Sequence, residues 1–268
     1  MADATQGAAT EGPILKIEHL KKDFAIKDET VHVLEDVSIS LAAGEFVSLV
    51  GTSGCGKSTI LKLIMSLEDP TAGTIEVTGR PVTAPSPLCS MIFQESRLLP
   101  WLSVEGNIDF TIPRDVPKAK RRQIVAEHVK LVGLEGFEHA VPGQLSGGMQ
   151  QRVSIARGLA TNPKLLLLDE PFGALDAFTR ANLQNETLRI WETEHTTMLL
   201  VTHDIDEAIY LSDRIIVLTD KPGRVSNVIR IDLPRPRDRS SLEFMALRRK
   251  VMLALEKRPE DVEVEYYL

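Results

Sequence analysis

A mostly parallel α/β sheet covered by helices on both faces is the predicted fold class, and three observations predict it. Short apolar strand patterns alternate with helical patterns along most of the 268 residues, the order that places helices on both faces of parallel strands. The apolar run Phe46–Val50 passes through a glycine-rich turn into a helical pattern, which is a strand, loop and helix in succession. A second apolar run, 165–168, ends in two carboxylates, Asp169 and Glu170. Open α/β sheets present their chemistry at such strand ends.

The elements follow in order. Residues 1–13 are small and polar and read as a disordered tail. Alternating hydrophobicity predicts a strand over 14–20 and one or two more over 31–41. After Phe46–Val50 and its loop comes a helix over 58–67, then short strands at 74–77 and 88–93. Helical patterns dominate 104–160, broken by Pro113, Pro117 and the VPGQLSGG segment, and this stretch reads as an inserted subdomain. The strand at 165–168 is followed by a helix over 178–194, a strand over 198–202 and a helix over 205–211. Closing strands at 215–218 and 225–231 lead through a Pro- and Arg-rich stretch to a last helix over 242–255. No internal repeat is present.

Composition narrows the class. With 43% hydrophobic and 26% charged residues the chain resembles an ordinary globular protein. A net charge of −7 argues against a nucleic-acid partner, which calls for a basic surface. The two cysteines, Cys55 and Cys89, are too few for a disulfide scaffold and suit a reducing compartment. The first residues carry neither a basic leader nor an apolar core, so no signal peptide is expected. No apolar stretch reaches the roughly 18 residues of a spanning helix, so any tie to a membrane is expected to run through a partner.

The glycine-rich loop carries the first chemistry. Gly51-Thr52-Ser53-Gly54-Cys55-Gly56-Lys57-Ser58, followed by Thr59, fits the phosphate-loop pattern G-x-x-x-x-G-K-[ST] between a strand and a helix. Glycines let the backbone wrap phosphates, and the helix start adds its positive dipole end. Lys57 supplies the cation for the β- and γ-phosphates of ATP, and the Ser58 hydroxyl is a Mg²⁺ ligand. Asp169 is placed to hold Mg²⁺ and Glu170 to activate the attacking water. Cys55, beside a helix N-terminus, is expected to favour its thiolate.

Leu145-Ser146-Gly147-Gly148-Met149-Gln150-Gln151-Arg152 is a second candidate phosphate surface, with Ser146 capping a helix and Gly147 and Gly148 exposing amides. This segment resembles the signature of ABC ATPases, in the common LSGGMQQR form. The resemblance spans about residues 14–231 and implies a P-loop NTPase (RecA-like) core, an N-terminal antiparallel β-subdomain and an inserted α-helical subdomain at about 95–160, with 232–268 as a C-terminal extension. It also implies a head-to-tail dimer in which Ser146, Gly147, Gly148 and Gln150 cover the nucleotide held by the partner.

Further roles come from the same resemblance. Gln94 is similar to the glutamine that senses Mg²⁺ and water and touches the membrane subunit. Asp176, in GALD, is similar to the D-loop residue at the dimer interface, and His203, in VTHD, to the switch histidine on the γ-phosphate. Phe24 stands where the family places a ring on adenine. Residues 98–108, 169–180 and 233–239 resemble import ATPases for nitrate, sulfonates and taurine. Such a subunit is peripheral on the cytoplasmic face of the membrane, bound to permease subunits and indirectly to a periplasmic or lipid-anchored solute-binding protein. Gly106 departs from that group and is expected to disturb local packing. The stretch after the last helix is short, so no regulatory domain of any size is expected there. A DNA-maintenance ATPase would split the motifs with long coiled coils, and a phosphotransferase would leave LSGGMQQR without a role. An ABC ATPase driving export is the alternative within the same family.

Overall fold

The structure, a computed structural model, describes residues 12–27 and 29–256. The tail expected over 1–13 lies outside these residues except for Gly12 and Pro13, as does the extension past residue 256. The strands are β1 (Leu15–Ile26), β2 (Glu29–Leu41), β3 (Phe46–Val50), β4 (Ala72–Val77), β5 (Arg80–Pro81), β6 (Cys89–Ile92), β7 (Leu165–Asp169), β8 (Thr197–Thr202), β9 (Arg214–Leu218) and β10 (Val225–Arg230). The helices are α1 (Lys57–Ile64), α2 (Val104–Asp109), α3 (Lys118–Leu131), α4 (Gly147–Leu159), α5 (Ala177–Glu194), α6 (Ile205–Leu211) and α7 (Leu242–Glu256).

Two sheets organise the chain. An antiparallel sheet has the order β2-β1-β4-β5. The central sheet has the order β10-β9-β3-β8-β7-β6, parallel from β9 to β6 and closed by antiparallel β10. Adjacent β6 and β7 are parallel, so the chain between them is a crossover, and it holds α2, α3 and α4. Its three helices fill much of the stretch between residues 92 and 165.

The parallel strands read as unbroken apolar runs because both of their faces are covered. Leu165, Leu166, Leu167 and Leu168 are all fully buried, each contributing about 1.5–3 kcal/mol. Successive side chains alternate between faces. Leu165 and Leu167 join α1 and the antiparallel sheet in one core. Leu166 and Leu168 join the helical insertion and α5 in another. A third core packs Phe244 and Val251 of α7 against α6, β9 and β10.

Three expectations need correction. The first strand runs to Ile26 rather than residue 20, because register shifts between Ile17 and Asp23 break the period-2 pattern. There Lys22 is buried, its ammonium bonded to Glu68 and the Asp69 carbonyl. Helix α1 stops at Ile64 rather than 67, where Met65 folds back on the last turn and Ser66 adopts a φ of 53°. Gly106 does not break α2. Ser103 Oγ accepts from Gly106 N at 3.2 Å, and a Cβ at that position would lie 3.3 Å from Leu102 Cβ, so glycine suits the tight first turn.

Candidate functional site

Four neighbouring strands deliver the predicted residues to one edge. The C-terminal ends of β3, β8, β7 and β6 release the loop at Gly51, His203, Glu170 and Gln94 respectively. Their register is in step, with Val50 opposite Thr202 and Asp169 opposite Val201. This is the carboxyl edge of the parallel strands, where open α/β sheets hold ligands.

The glycine-rich loop is shaped as a cradle. Gly54 and Gly56 have φ of 81° and 103°, values that side chains disfavour. A Cβ at Gly51 would meet Cys55 Sγ at 2.6 Å, and one at Gly56 would meet Leu34 Cδ2 at 2.5 Å. Gly56 caps α1 without any side-chain acceptor, so the first amides of the helix remain available to an anion. Lys57 is 6% exposed, and its Nζ donates to Gly51 O at 2.8 Å and Thr52 O at 2.9 Å. Thr52 is tied to Asp220, and Gly223 packs on the Cys55 carbonyl, so the turn between β9 and β10 braces the loop from outside.

Ser58 Oγ donates to Asp169 Oδ1 at 2.9 Å. Burial lifts the Asp169 carboxyl above its ordinary range, the Ser58 hydroxyl pulls it back, and neighbouring Glu170 adds to the rise. Glu170 has a left-handed φ of 45° and donates its amide to Val201 O at 2.9 Å. Such a conformation in a non-glycine residue is costly and persists where surrounding bonds enforce it. It brings Glu170 Oε2 within 3.1 Å of His203 Nδ1. Gln94 is exposed beside Gly173, where a Cβ would lie 3.1 Å from Gln94 Nε2.

Hard oxygen ligands, one hydroxyl and one carboxylate, suit Mg²⁺ bound through one or two protein groups and phosphate. Among the described residues no cluster of three or more His, Cys, Asp or Glu makes an all-protein metal cage. The pair Ser58 and Asp169 fits a metal that arrives with a nucleotide.

On the helical subdomain Ser146 caps α4, accepting from Met149 N at 3.3 Å, and Ser146 and Gly147 are exposed. Gly148 is buried against α5, where a Cβ would meet Thr179 Cγ2 at 2.6 Å. Gln150 is half-buried at the start of α4. Its amide donates to Pro142 O and Leu145 O and accepts from Ser96 Oγ, all within its own chain. Asp176 caps α5 by accepting from Phe178 N and Thr179 N, and its contacts with Thr179 hold the carboxyl below its usual range. Phe24 is half-buried in β1 against the first core, with Lys22 Nζ 4.6 Å from its ring centre.

Sequence reasoning missed several partners. Gln151 donates to Phe93 O, and Arg157 to Ser96 O and Arg97 O, stitching α4 to the segment after β6. Asp220 bonds the predicted Thr52, and Arg180 reaches Leu175 and Asp204, the neighbours of Asp176 and His203. The only local signal was the Lys-Pro-Gly turn at 221–223.

Cys55 reverses an expectation. The thiol is buried, and burial pushes its pKa up despite the Lys57 ammonium 3.9 Å away. Cys89 is pushed up to about 11 by burial. A raised pKa leaves less thiolate at neutral pH and more as pH rises. Alkylation of Cys55 by iodoacetamide at pH 7.5 is therefore expected to run about ten-fold or more slower in the folded subunit than in the unfolded chain, climbing with pH. Peptide mapping by mass spectrometry reads this, and labelling as fast as a free thiol refutes it.

The family profile described as ABC transporter matches residues 34–173. An aliphatic sulfonates import ATP-binding protein of Bacillus subtilis is 49% identical over 243 residues, which cover 91% of this chain and 94% of that one. A bicarbonate transport ATP-binding protein of Synechococcus elongatus is 47% identical over 251 residues, 90% of this chain and 38% of the longer relative. Among solved structures, a dimeric ATP-binding cassette in a post-hydrolysis state with ADP and phosphate aligns with a TM-score of 0.70 and 32% identity, over 82% of this chain and 100% of that one.

Proposed function

This chain belongs to the ABC transporter family of ATP-binding subunits and is an ATPase, and from that premise we propose that it powers uptake of a small anionic solute, such as nitrate, a sulfonate or taurine. The convergence of Lys57, Ser58, Asp169, Glu170, His203 and Gln94 on one sheet edge carries the reading. The likeness to sulfonate and bicarbonate transport subunits supports the solute class.

The loop from Gly51 to Thr59 cradles the phosphates of ATP with its amides, and Lys57 Nζ turns from the loop carbonyls to the β- and γ-oxygens. Ser58 and Asp169 would hold Mg²⁺, which would supply positive charge against the phosphates. Glu170 accepts a proton from the water that attacks the γ-phosphorus. His203, whose Nδ1 lies 3.1 Å from Glu170 Oε2, contacts the γ-phosphate, and Gln94 orients the water. Phe24 stacks its ring on adenine. Ser146, Gly147, Gly148 and Gln150 complete the site of a second copy packed head to tail, with Asp176 at the interface. Gln150 also fixes the loop before α4 and the segment after Gln94 within its own chain.

The subunit sits on the cytoplasmic face of the membrane as a peripheral partner of permease subunits, which a periplasmic or lipid-anchored binding protein supplies with solute. Among the described residues no helix is long and apolar enough to cross a membrane. The docking surface lies after β6. Leu98 packs into the helical core and Asn107 pins the Leu99 backbone through its N–H and C=O, but the Trp101 side chain is 73% exposed. An exposed aromatic on a fixed loop is an anchor for a partner helix. Trp101→Ser is expected to leave melting temperature and free-subunit hydrolysis unchanged. It should abolish pull-down of the co-expressed permease and stop uptake of labelled taurine, alkanesulfonate or nitrate into proteoliposomes. Wild-type complexes that move none of these anions, or a Trp101→Ser subunit that still binds and drives the permease, would overturn the reading.

A further inference from the structure

Besides the Tyr210 hydroxyl, which donates to Asn185 Oδ1 at 2.6 Å, two ties join α5, capped by Asp176, to α6 and its cap Asp204, the residue after His203. Gln184 and Glu207 form the buried one, with Gln184 Nε2 donating to Glu207 Oε1 at 2.8 Å. Arg180 forms the other, one helical turn nearer the site. Its Nη2 donates to the carbonyl of Leu175 at 2.9 Å, and its Nη1 lies 3.9 Å from Asp204 Oδ2. Leu175 directly precedes Asp176, and Asp204 directly follows His203.

Asp204 leaves little slack in the histidine turn. Its Oδ1 caps α6 by accepting from Glu207 N at 3.1 Å, and its amide donates to Thr202 Oγ1 at 3.0 Å. A pull on the Asp204 carboxylate therefore reaches His203 through one peptide bond. Arg180 is not fully engaged: the contact to Asp204 is longer than a hydrogen bond, and Nε is buried without a partner. The arginine is firm on the Leu175 side and loose on the Asp204 side, with a spare donor for a closer approach.

We infer that Arg180 is a positioning residue that carries the placement of the Leu175–Asp176 segment to His203. This inference rests on the reading that Asp176 meets a second subunit. When a partner presses on Asp176, the Leu175 carbonyl moves with it, and the rigid guanidinium draws Asp204 and sets the His203 ring against Glu170. A partly exposed ion pair of this kind contributes little to stability. A role confined to folding thus predicts small effects everywhere, whereas positioning predicts a large effect on turnover alone.

Arg180→Met, Arg180→Lys and Asp204→Asn separate the two, since asparagine keeps the α6 cap while removing the charge. For Arg180→Met we expect the melting temperature to fall by no more than a few degrees. Affinity for a non-hydrolysable ATP analogue should stay within about two-fold, and ATP-driven dimerisation should persist in the Glu170→Gln background. The turnover number should fall about ten-fold or more, with partial recovery in Arg180→Lys. The double variant Arg180→Met/Asp204→Asn should be no slower than Arg180→Met alone, as expected for residues acting through one contact. The His203 Cε1–H resonance of the nucleotide-free subunit should shift in Arg180→Met. Wild-type turnover in Arg180→Met, additive losses in the double variant, or a turnover loss matched by loss of stability and affinity would each overturn the inference. A wild-type protein that neither dimerises with ATP nor hydrolyses it defeats the underlying reading and this inference with it. Normal wild-type behaviour beside unaffected Arg180 variants defeats this inference alone.

Discussion

Glu170→Gln is expected to bind ATP within about two-fold of wild type and to lose at least two orders of magnitude in turnover, within the range of about 10²–10⁴ attributed to a positioned general base. Glutamine keeps the length and planarity of the side chain and the backbone bond from residue 170 to Val201 O. The left-handed conformation at this position is imposed by that bond and by the turn to Gly173, so it does not depend on the carboxylate. The amide can still meet the exposed His203 ring, whose Nδ1 lies 3.1 Å from Glu170 Oε2. What disappears is the ability to take a proton from water. Phosphate release under single-turnover conditions, with nucleotide affinity measured calorimetrically on the same protein, separates chemistry from binding. Hydrolysis by Glu170→Gln at the wild-type rate would remove the role assigned to this carboxylate.

The parts of the site legible in the sequence are those encoded locally. A strand that ends in Gly51 and a helix that starts at Lys57 form a contiguous unit, so the pattern specifies the cradle without knowledge of its neighbours. The same holds for Asp169 and Glu170 at the end of a leucine run, and for Ser146 at a helix start. Residues whose role depends on tertiary approach gave no such signal. Arg180, Arg157 and Asp220 are ordinary surface types until the fold brings them to Leu175, the residues after Gln94, and Thr52. The bonds of the Gln150 amide to Pro142, Leu145 and Ser96 are likewise invisible in the motif that contains it. Cys55 failed for a related reason. Proximity to a helix start favours a thiolate, but burial beneath the loop, invisible in the sequence, decides the sign. Likewise, the register shifts that carry β1 to Ile26 place Lys22 inside, and a buried lysine erases the alternation by which strands are recognised.

Lys57→Ala is expected to cost nucleotide affinity about 10- to 150-fold, as follows from losing a charge-assisted hydrogen bond worth about 1.5–3 kcal/mol. The position offers two separate reasons for a loss. The ammonium is the cation for the β- and γ-phosphates, and without nucleotide it also binds the carbonyls of Gly51 and Thr52. Removing it leaves the Gly51 carbonyl without its buried donor, so the loop itself is expected to loosen. Alanine takes away charge and loop ties together, and also the aliphatic stem that fills the space under the loop. Lys57→Met keeps the stem and removes only the polar head, and Lys57→Arg keeps the charge but needs more room than a 6% exposed site provides. If phosphate charge dominates, Lys57→Met should bind ATP as poorly as Lys57→Ala while binding adenosine as well as wild type does. If loop order dominates, Lys57→Met should recover part of the affinity, and both variants should show faster amide exchange at 52–56 before any nucleotide is added. Titration calorimetry with ATP, ADP and adenosine, paired with hydrogen exchange, distinguishes the outcomes. Wild-type ATP affinity in Lys57→Ala would show that the cradle binds phosphate through backbone amides alone.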